Sequence, residues 1–230
     1  MRPEEAAWIG RVLTRLDRAA IGTVLNVGSS TGYFRKVTQP HIDREIFAPL
    51  EATGATVVHC DMKQAEGVDL VGDLTDRTFR ARLEGMAADV VLANNLFEHV
   101  RNRASLAECI AVLPAADGRL IVSVPYRYPY HCDPIDTLYR PTPREIAALF
   151  PGFDMHAEAI VESTSLWADL HRQLGAWGAV KDVLKRLVRL LFPFVRPRAW
   201  WATAAGLIWL FRQRSVSIAC LVRKPAGTAE

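Results

Sequence analysis

The chain alternates short apolar runs with amphipathic stretches, and this alternation constrains its fold more than any other feature of the sequence. Five apolar runs with the character of buried strands occupy residues 23–27, 55–60, 68–71, 89–93 and 119–124. A first helix is predicted over 3–19, and helical spacing of apolar residues recurs at 41–50, 75–86 and 104–113. Strands that alternate with helices predict a mostly parallel sheet covered by helices on both faces.

The pattern changes after the fifth run. Pro141 opens a short helix that ends near Phe150, and two more strands are predicted at 155–161 and 215–222. About fifty residues separate these two strands, which is far longer than an ordinary loop. We therefore predict one α/β domain over 1–164 and 215–230, with a helical insertion over 165–214.

Composition and cysteine spacing exclude several classes of protein. The chain is 50% hydrophobic and 23% charged, which is typical of a globular protein, and its net charge of +3 gives no reason to expect nucleic acid. Cysteines at 60, 109, 132 and 220 form no C-x-x-C pair, so we predict free thiols and no metal site. The first five residues include two acids and no apolar run follows, which predicts a cytoplasmic protein without a secretory signal.

Small and polar residues follow the predicted strands, where open α/β sheets bind their ligands. The glycine-rich turn Gly28–Gly32 follows the first run, and its small residues allow a ligand to approach the backbone. Asp61 ends the second run and is suited to accept the hydroxyls of a ribose. Asp73 and Leu74 follow the third run and could hold an adenine. Taken singly, each feature is at least as often an ordinary turn or helix cap as a part of a binding site, but their joint order after successive strands predicts a nucleotide-type site.

The fourth run is followed by Glu98-His99-Val100, and the whole arrangement resembles the class I S-adenosylmethionine-dependent methyltransferases, closest to the type 11-like group with an E-H-V signature. The stretches 125–134 and 139–143 are similar to members from bacterial glycan and cell-envelope pathways. The resemblance implies S-adenosylmethionine as the cofactor. It also implies a Rossmann-like sheet, mostly parallel, whose last strand is antiparallel.

The resemblance further implies a set of cofactor-binding residues. The glycine-rich turn would hold the methionine part, Asp61 the ribose, and Asn94 the far side of the cofactor. The full set is Asn26, Gly28, Ser29, Ser30, Gly32, Asp61, Met62, Asp73, Leu74, Asn94 and Leu96. Two positions depart from the family pattern, since an acid usually stands at the place of Asn26 and a glycine at the place of Ser30. Asn26 therefore contributes no negative charge toward the amino group of the cofactor.

Two histidines are candidates for removing a proton from an acceptor hydroxyl. His99 and His131 both follow strands at the active edge, and imidazoles titrate near neutral pH. Asp133 is close to His131 in sequence and completes the predicted catalytic group. The alternatives are that His99 only packs beneath the cofactor and that His131 only orders its loop.

The insertion carries most of the positive charge of the chain. It contains nine basic and two acidic residues, a net charge of +7. One predicted helical face is apolar, the other is basic, and Trp200, Trp201 and Trp209 follow. This pattern is typical of an interfacial membrane contact, here with an anionic surface through 180–212. A cap over the acceptor site and a dimer surface are the alternatives; the apolar run 199–211 is too short to span a bilayer.

The sequence thus predicts methyl transfer from S-adenosylmethionine to a small molecule, a sugar or a glycolipid, at a hydroxyl group. One alternative is a degenerate methyltransferase domain that acts as a binding module at a membrane. Another is a nicotinamide-dependent oxidoreductase, although Gly28–Gly32 does not supply the G-x-G-x-x-G pattern that such enzymes use. A nucleic-acid acceptor is not expected, and the oligomeric state stays open.

Overall fold

The computed structural model describes residues 1–16, 21–131, 135–191 and 197–225. Within them, one mixed sheet has seven strands in the spatial order β3-β2-β1-β4-β5-β7-β6. The strands are β1 Thr23–Val27, β2 Thr56–Asp61, β3 Leu70–Val71, β4 Ala88–Asn94, β5 Pro114–Arg127, β6 Phe153–Ser163 and β7 Arg214–Arg223.

Helices occupy the connections between the strands. The α-helices are α1 Pro3–Arg15, α2 Pro40–Ile42, α3 Ala48–Glu51, α4 Arg77–Glu84, α5 Arg103–Ala111, α6 Pro143–Ala147, α7 Leu166–Leu190 and α8 Pro197–Ile208. Two π-helical segments, Phe34–Thr38 and Asp43–Phe47, alternate with α2 and α3, and a 3₁₀ turn spans Phe97–His99.

The direction of the strands confirms the predicted sheet. Neighbouring strands from β3 to β5 are parallel, and β7 runs antiparallel to both β5 and β6. The strand order reverses at the boundary between β1 and β4: the connection after β1 leads toward β2 on one side, and the connection after β4 leads toward β5 on the other. A crevice opens at such a switch point, outside the carboxyl ends of the strands. Every predicted cofactor residue outside β1 and β4 itself follows or ends a strand at this edge.

Some boundaries differ from the sequence prediction for identifiable reasons. Strand β5 begins at Pro114 rather than at residue 119, because the ladder with β4 continues through an irregularity near Ala88. Helix α4 begins at Arg77 rather than at 75, because the Asp76 side chain caps it by accepting from the Phe79 backbone N–H at 2.8 Å. At α6, Thr142 and Glu145 form a capping box at the predicted start.

A separate apolar core lies on each face of the sheet. One core packs α4, α5 and α6 against β4 and β5 and includes Phe97 and Phe150. The other packs α1 and the segment Phe34–Glu51 against β1 and β7, and Ile9, Leu13 and Phe47 are almost fully buried there. Burial of each such side chain contributes about 1.5–3 kcal/mol to the stability of the fold. The two cores therefore hold the sheet, and with it the strand ends that form the site, in place.

The segment between β6 and β7 is helical, as predicted. Within α7, Gly175 has φ 72° and ψ 173°, which breaks the helix into two parts. Leu170, Ala179 and Leu210 pack together and join α7 to the end of α8. The Trp200 indole N–H donates to the carbonyl of Leu190 at 2.8 Å. In the described parts of the chain, no helix is both long enough and apolar enough to cross a membrane.

Candidate functional site

The glycine-rich turn after β1 adopts a conformation that its small residues permit. Gly28 has φ +67°, and a Cβ atom there would lie 3.0 Å from Leu96 Cδ1. Ser30 also has a positive φ, 55°, at the position where the resembled family usually has glycine. A Cβ at Gly32 would lie 3.2 Å from the Gly67 Cα, so two backbones touch here. The small residues therefore let the turn pack closely against Leu96 and the Gly67 backbone.

A buried arginine that the sequence analysis did not identify holds this turn in place. The guanidinium of Arg35, only 2% exposed, donates to the carbonyls of Ser29 at 2.8 Å, Ser30 at 2.7 Å and Gly67 at 2.5 Å. Its burial lowers the pKa of Arg35, and nearby acids such as Asp69 act in the opposite direction. Arg35 thus links the first turn to the loop between β2 and β3.

Asp61 completes the turn from the neighbouring strand. Its Oδ2 accepts the Ser30 backbone N–H at 2.8 Å, and its Oδ1 accepts the Lys63 N–H at 3.0 Å. Met62 beside it is 69% exposed. Beyond β3, exposed Asp73 accepts the N–H of Thr75 at 2.8 Å. Leu74 is half-buried against the core, and Ser29 is buried.

Asn26 lies inside β1 and has a partner within the protein. Its Nδ2 is 3.0 Å from Nδ1 of His59, the residue that pairs with it in the β1–β2 register. Burial first, and Arg35 second, lower the pKa of His59 to about 4. His59 is therefore neutral at pH 7, and its unprotonated Nδ1 accepts from the Asn26 amide. Asn26 stabilises the end of β1 rather than presenting a charge.

The end of β4 is joined to the first helix by a buried carboxylate. Glu5 of α1 is fully buried, and its Oε1 accepts from the Ser123 hydroxyl at 2.6 Å and from Asn95 Nδ2 at 2.8 Å. The Ser123 hydroxyl is also 3.0 Å from Asn94 Oδ1. Leu96, half-buried, contacts Gly28 across the switch point. Glu5 is not predictable as a site residue from the sequence, because the pattern of α1 does not show which way this side chain points.

Two predicted histidines lie side by side beyond β4 and β5. The rings of His99 and His131 are 5.5 Å apart, and the Tyr128 ring is 5.5 Å from His131. His99 Nδ1 is 2.5 Å from the carbonyl of Ile135. Burial lowers the pKa of His131, although Asp136 acts to raise it.

The carboxylate next to His131 is Asp136. Asp133, the predicted partner, lies outside the described residues. Asp136 Oδ2 is 3.2 Å from His131 Nδ1, and Arg140 donates to both Asp136 oxygens, at 3.1 and 2.6 Å. Burial acts to raise the pKa of Asp136, but the hydrogen bond from Arg140 and backbone N–H groups lower it to about 2. Asp136 is therefore a fixed anion beside the histidine.

Glu98 lies beneath these histidines without a hydrogen-bond partner. Its side chain is fully buried, and neither carboxylate oxygen has a donor within the described residues. Burial raises the pKa of Glu98 to about 8. Glu98 was expected only as the first residue of the E-H-V signature, and no role was predicted for it.

A cavity of about 390 Å³ opens at the same edge of the sheet, between the ends of β5 and β6, the start of β7 and the end of α8. Its lining is basic and aromatic, namely Arg127, Glu162, Trp209, Arg212, Gln213, Arg214 and Ser215. The Arg214 guanidinium lies 5.9 Å from the Tyr128 ring, which in turn contacts His131. Arg214 and Tyr128 thus link the cavity to His131, which does not itself line it.

Comparison with solved structures finds the same architecture. The MccD protein matches with a TM-score of 0.57 at 14% identity, over 97% of this chain and 100% of that chain. A coclaurine N-methyltransferase bound to N-methylheliamine and SAH matches with 0.54 at 14%, over 96% and 71%. The 1,6-didemethyltoxoflavin-N1-methyltransferase of Burkholderia thailandensis, with bound 1,6-didemethyltoxoflavin and S-adenosylhomocysteine, matches with a TM-score of 0.52 at 13% identity, over 96% of this chain and 79% of that chain. The chain has the class I methyltransferase fold.

These comparisons show the fold alone. No protein-family model matches the chain, and no curated protein matches it. Structural similarity at 14% identity or less shows that the architecture is shared, whereas activity depends on the residues of the site itself.

Proposed function

We propose that this chain binds S-adenosylmethionine and transfers a methyl group to a small-molecule acceptor, at a hydroxyl of a sugar, glycan or glycolipid. One observation carries the proposal. At the switch point of a methyltransferase-type sheet, Asp61 Oδ2 accepts the Ser30 N–H at 2.8 Å and so joins the glycine-rich turn to the carboxylate of the next strand.

The residues present fit this cofactor. A side chain at Gly28 would meet Leu96 and one at Gly32 would meet the Glu66–Gly67 backbone, so glycine at both positions keeps the turn in the compact shape proposed to hold the methionine part. Each Asp61 oxygen accepts one backbone N–H, which leaves lone pairs for the two hydroxyls of a ribose. Exposed Met62 after β2, with Asp73 and Leu74 after the neighbouring β3, offers an apolar surface and a carboxylate to the adenine.

S-adenosylmethionine, when bound, supplies an electrophilic methyl group, so the protein has to orient the acceptor and exclude water. The basic, Trp-lined cavity beside β5 and β7 would hold the acceptor. Its volume is within the range of small-molecule sites, and its few polar groups would fix the orientation of the acceptor. His99 and His131 would then handle the proton of the acceptor hydroxyl, with Asp136 orienting His131.

Calorimetric titration with S-adenosylhomocysteine, with NAD as a control ligand, tests the cofactor. We expect micromolar binding of S-adenosylhomocysteine alone, and at least a tenfold loss in Asp61→Ala. Asp117→Ala, an exposed acid on β5 away from the site, should bind as the wild type does. Binding of neither ligand would favour the degenerate module, and binding of NAD alone would favour the oxidoreductase.

We also propose that 180–212 contacts an anionic membrane surface. Leu184, Leu187, Val188 and Leu191 are 47–73% exposed on α7 and beyond its end. Lys181, Lys185 and Arg189 on the same helix are exposed as well. Apolar side chains flanked by bases complement an acidic lipid headgroup layer.

Vesicle co-sedimentation tests this contact. We expect binding to vesicles of phosphatidylglycerol that weakens with salt, little binding to pure phosphatidylcholine, and a loss in the Lys185→Glu, Arg189→Glu double variant. Equal binding to both lipids, or to neither, would contradict the proposal. Dimerisation through the same face would appear in analytical ultracentrifugation without lipid.

A further inference from the structure

Three side chains with metal-binding atoms converge beside the proposed acceptor cavity. Glu98 and His99 come from the 3₁₀ turn after β4, and His131 from the segment after β5. One oxygen or nitrogen atom from each of the three lies within 4.8 Å of the others. The methyltransferase chemistry proposed above leaves Glu98 without a role.

The burial of Glu98 is the first observation that needs a partner. A carboxyl group that is fully buried without a donor loses its hydration and gains nothing in return. Such groups in native proteins need an explanation, and an unrecorded ion is one of the usual ones. The nearest atom able to share a cation with it is His99 Nε2, 3.7 Å from Glu98 Oε1.

The orientation of His99 is the second observation. A carbonyl can only accept, so His99 Nδ1 at 2.5 Å from the Ile135 carbonyl carries the proton. In the neutral imidazole, Nε2 therefore presents its lone pair toward the Glu98 oxygen. A lone pair that faces an ionised Glu98 at 3.7 Å is repulsive, and either a proton on the Glu98 carboxyl or a cation shared by the two side chains removes the repulsion.

The surroundings of His131 are the third observation. Asp136 lies 3.2 Å from His131 Nδ1 and is itself held by two hydrogen bonds from Arg140. Histidines that bind metals are typically oriented in this way by a carbonyl or carboxylate on the other ring nitrogen. Here the Ile135 carbonyl accepts from His99 Nδ1, whereas Asp136 accepts the backbone N–H of His131 at 3.1 Å and lies close to its Nδ1, which makes no hydrogen bond within the described residues.

We propose that Glu98, His99 and His131 form a binding site for a divalent transition-metal ion of the Zn²⁺ or Fe²⁺ class. Two imidazoles and one carboxylate are a donor set that these ions prefer, whereas Mg²⁺ and Ca²⁺ prefer oxygen alone. In a tetrahedral site with bonds of about 2.1 Å, neighbouring ligand atoms lie about 3.4 Å apart. Side-chain rotations that move the ligand atoms by about 1 Å would bring these three side chains to that spacing.

Three protein ligands leave at least one position on the ion open. If the proposed function holds, an acceptor hydroxyl that reaches this position would become more acidic. This role rests on the proposed function, but binding of the metal itself does not. The basic lining of the cavity would then bind the rest of the acceptor.

Titration of the chelator-treated full chain with ZnCl₂, and separately with CoCl₂, tests the site. We expect one equivalent of Zn²⁺ with micromolar or tighter affinity and a visible d–d absorption of bound Co²⁺. The variants Glu98→Gln and His131→Ala should each weaken Zn²⁺ binding at least tenfold. Glu98→Gln is isosteric and removes a buried acid, so it should fold as the wild type does.

His156→Ala is the matched control, because His156 is exposed on β6 and far in sequence from the cluster. It should bind Zn²⁺ as the wild type does. Absence of stoichiometric Zn²⁺ binding, or equal affinity in wild type and Glu98→Gln, would overturn the proposal. S-adenosylhomocysteine binding is measured on the same proteins without metal, so failure of the metal site and failure of the cofactor site are separable.

Discussion

At the scale of single residues, Arg35 acts on the site without facing a ligand. Its guanidinium joins three carbonyls from two loops, at Ser29, Ser30 and Gly67. No local pattern predicts this contact, because Gly67 is 32 residues away. The glycine-rich turn itself was predictable, since its small residues follow an apolar strand. The residue that fixes its shape was not.

We expect Arg35→Met to weaken S-adenosylhomocysteine binding at least tenfold and to lower the free energy of unfolding by about 2 kcal/mol, because buried carbonyls lose their donors. Calorimetry and urea unfolding measure the two effects. Lys36→Met is the control, since Lys36 is exposed and lies 4.0 Å from Asp43 in a surface ion pair. Equal behaviour of the two variants would show that Arg35 does not hold the turn.

His59 explains the asparagine that departs from the family pattern. Asn26 donates to its Nδ1, and the charged groups that act on it are Arg35, Lys36 and Asp69. Because burial lowers the pKa of His59 to about 4 while the unfolded chain keeps about 6.5, the unfolded state binds the proton first as pH falls. Stability from this group is therefore unaffected above pH 6.5 and decreases between about pH 6.5 and pH 4.

We expect His59→Gln to remove this part of the acid sensitivity. Gln can still accept from Asn26, so the variant should fold, and the wild type should lose up to about 3 kcal/mol more than the variant on acidification. Urea unfolding at pH 7.5, 6.0 and 4.5 measures the difference. If the free energies of unfolding of the two proteins changed in parallel with pH, His59 would titrate as an exposed histidine does.

At the scale of elements, the helical region 34–51 differs most from its prediction. One helix was predicted over 41–50, but the chain forms two π-helical and two short α-helical segments from Phe34 to Glu51. Pro40 and Pro49 lack an N–H and so interrupt regular hydrogen bonding. Apolar spacing predicts that a segment is helical, but it does not predict a π-turn that inserts an extra residue.

The packing of this region against α1 depends on one glycine. A Cβ at Gly10 would lie 2.3 Å from the backbone carbonyl oxygen of Glu45, which cannot rotate away. We expect Gly10→Ala to lower the free energy of unfolding by about 3 kcal/mol, because the helix has to move away from Asp43–Phe47. The control is Gly152→Ala, where an added Cβ meets no atom within 4 Å. Similar melting temperatures for both variants would contradict this close contact.

At the scale of the whole molecule, one carboxylate joins three distant parts of the chain. Asp169, in the first turn of α7, pairs with Arg2 before α1 at 2.9 Å and with Arg214 at the start of β7. Burial acts to raise the pKa of Asp169, but the hydrogen bonds from Arg2 and Thr164 lower it. Sequence patterning predicted that 165–214 is an insertion. It did not predict what holds the insertion on the sheet, since Arg2 and Arg214 are both far from Asp169 in sequence.

We expect Asp169→Ala to separate the unfolding of the insertion from that of the sheet. Five of the six tryptophans lie in 165–214, so tryptophan fluorescence reports mainly the insertion, and far-UV circular dichroism reports the whole chain. In the wild type the two urea transitions should coincide. In the variant two arginines lose their half-buried partner at a cost of about 2 kcal/mol, and the fluorescence transition should move to lower urea than the dichroism transition.

Asp182→Ala, which breaks only the pair with Arg186 inside α7, should leave the two transitions together and lower the free energy of unfolding by less than about 0.5 kcal/mol. Because the cavity is lined from both sides of this junction, a detached insertion should also weaken acceptor binding and leave S-adenosylhomocysteine binding unchanged.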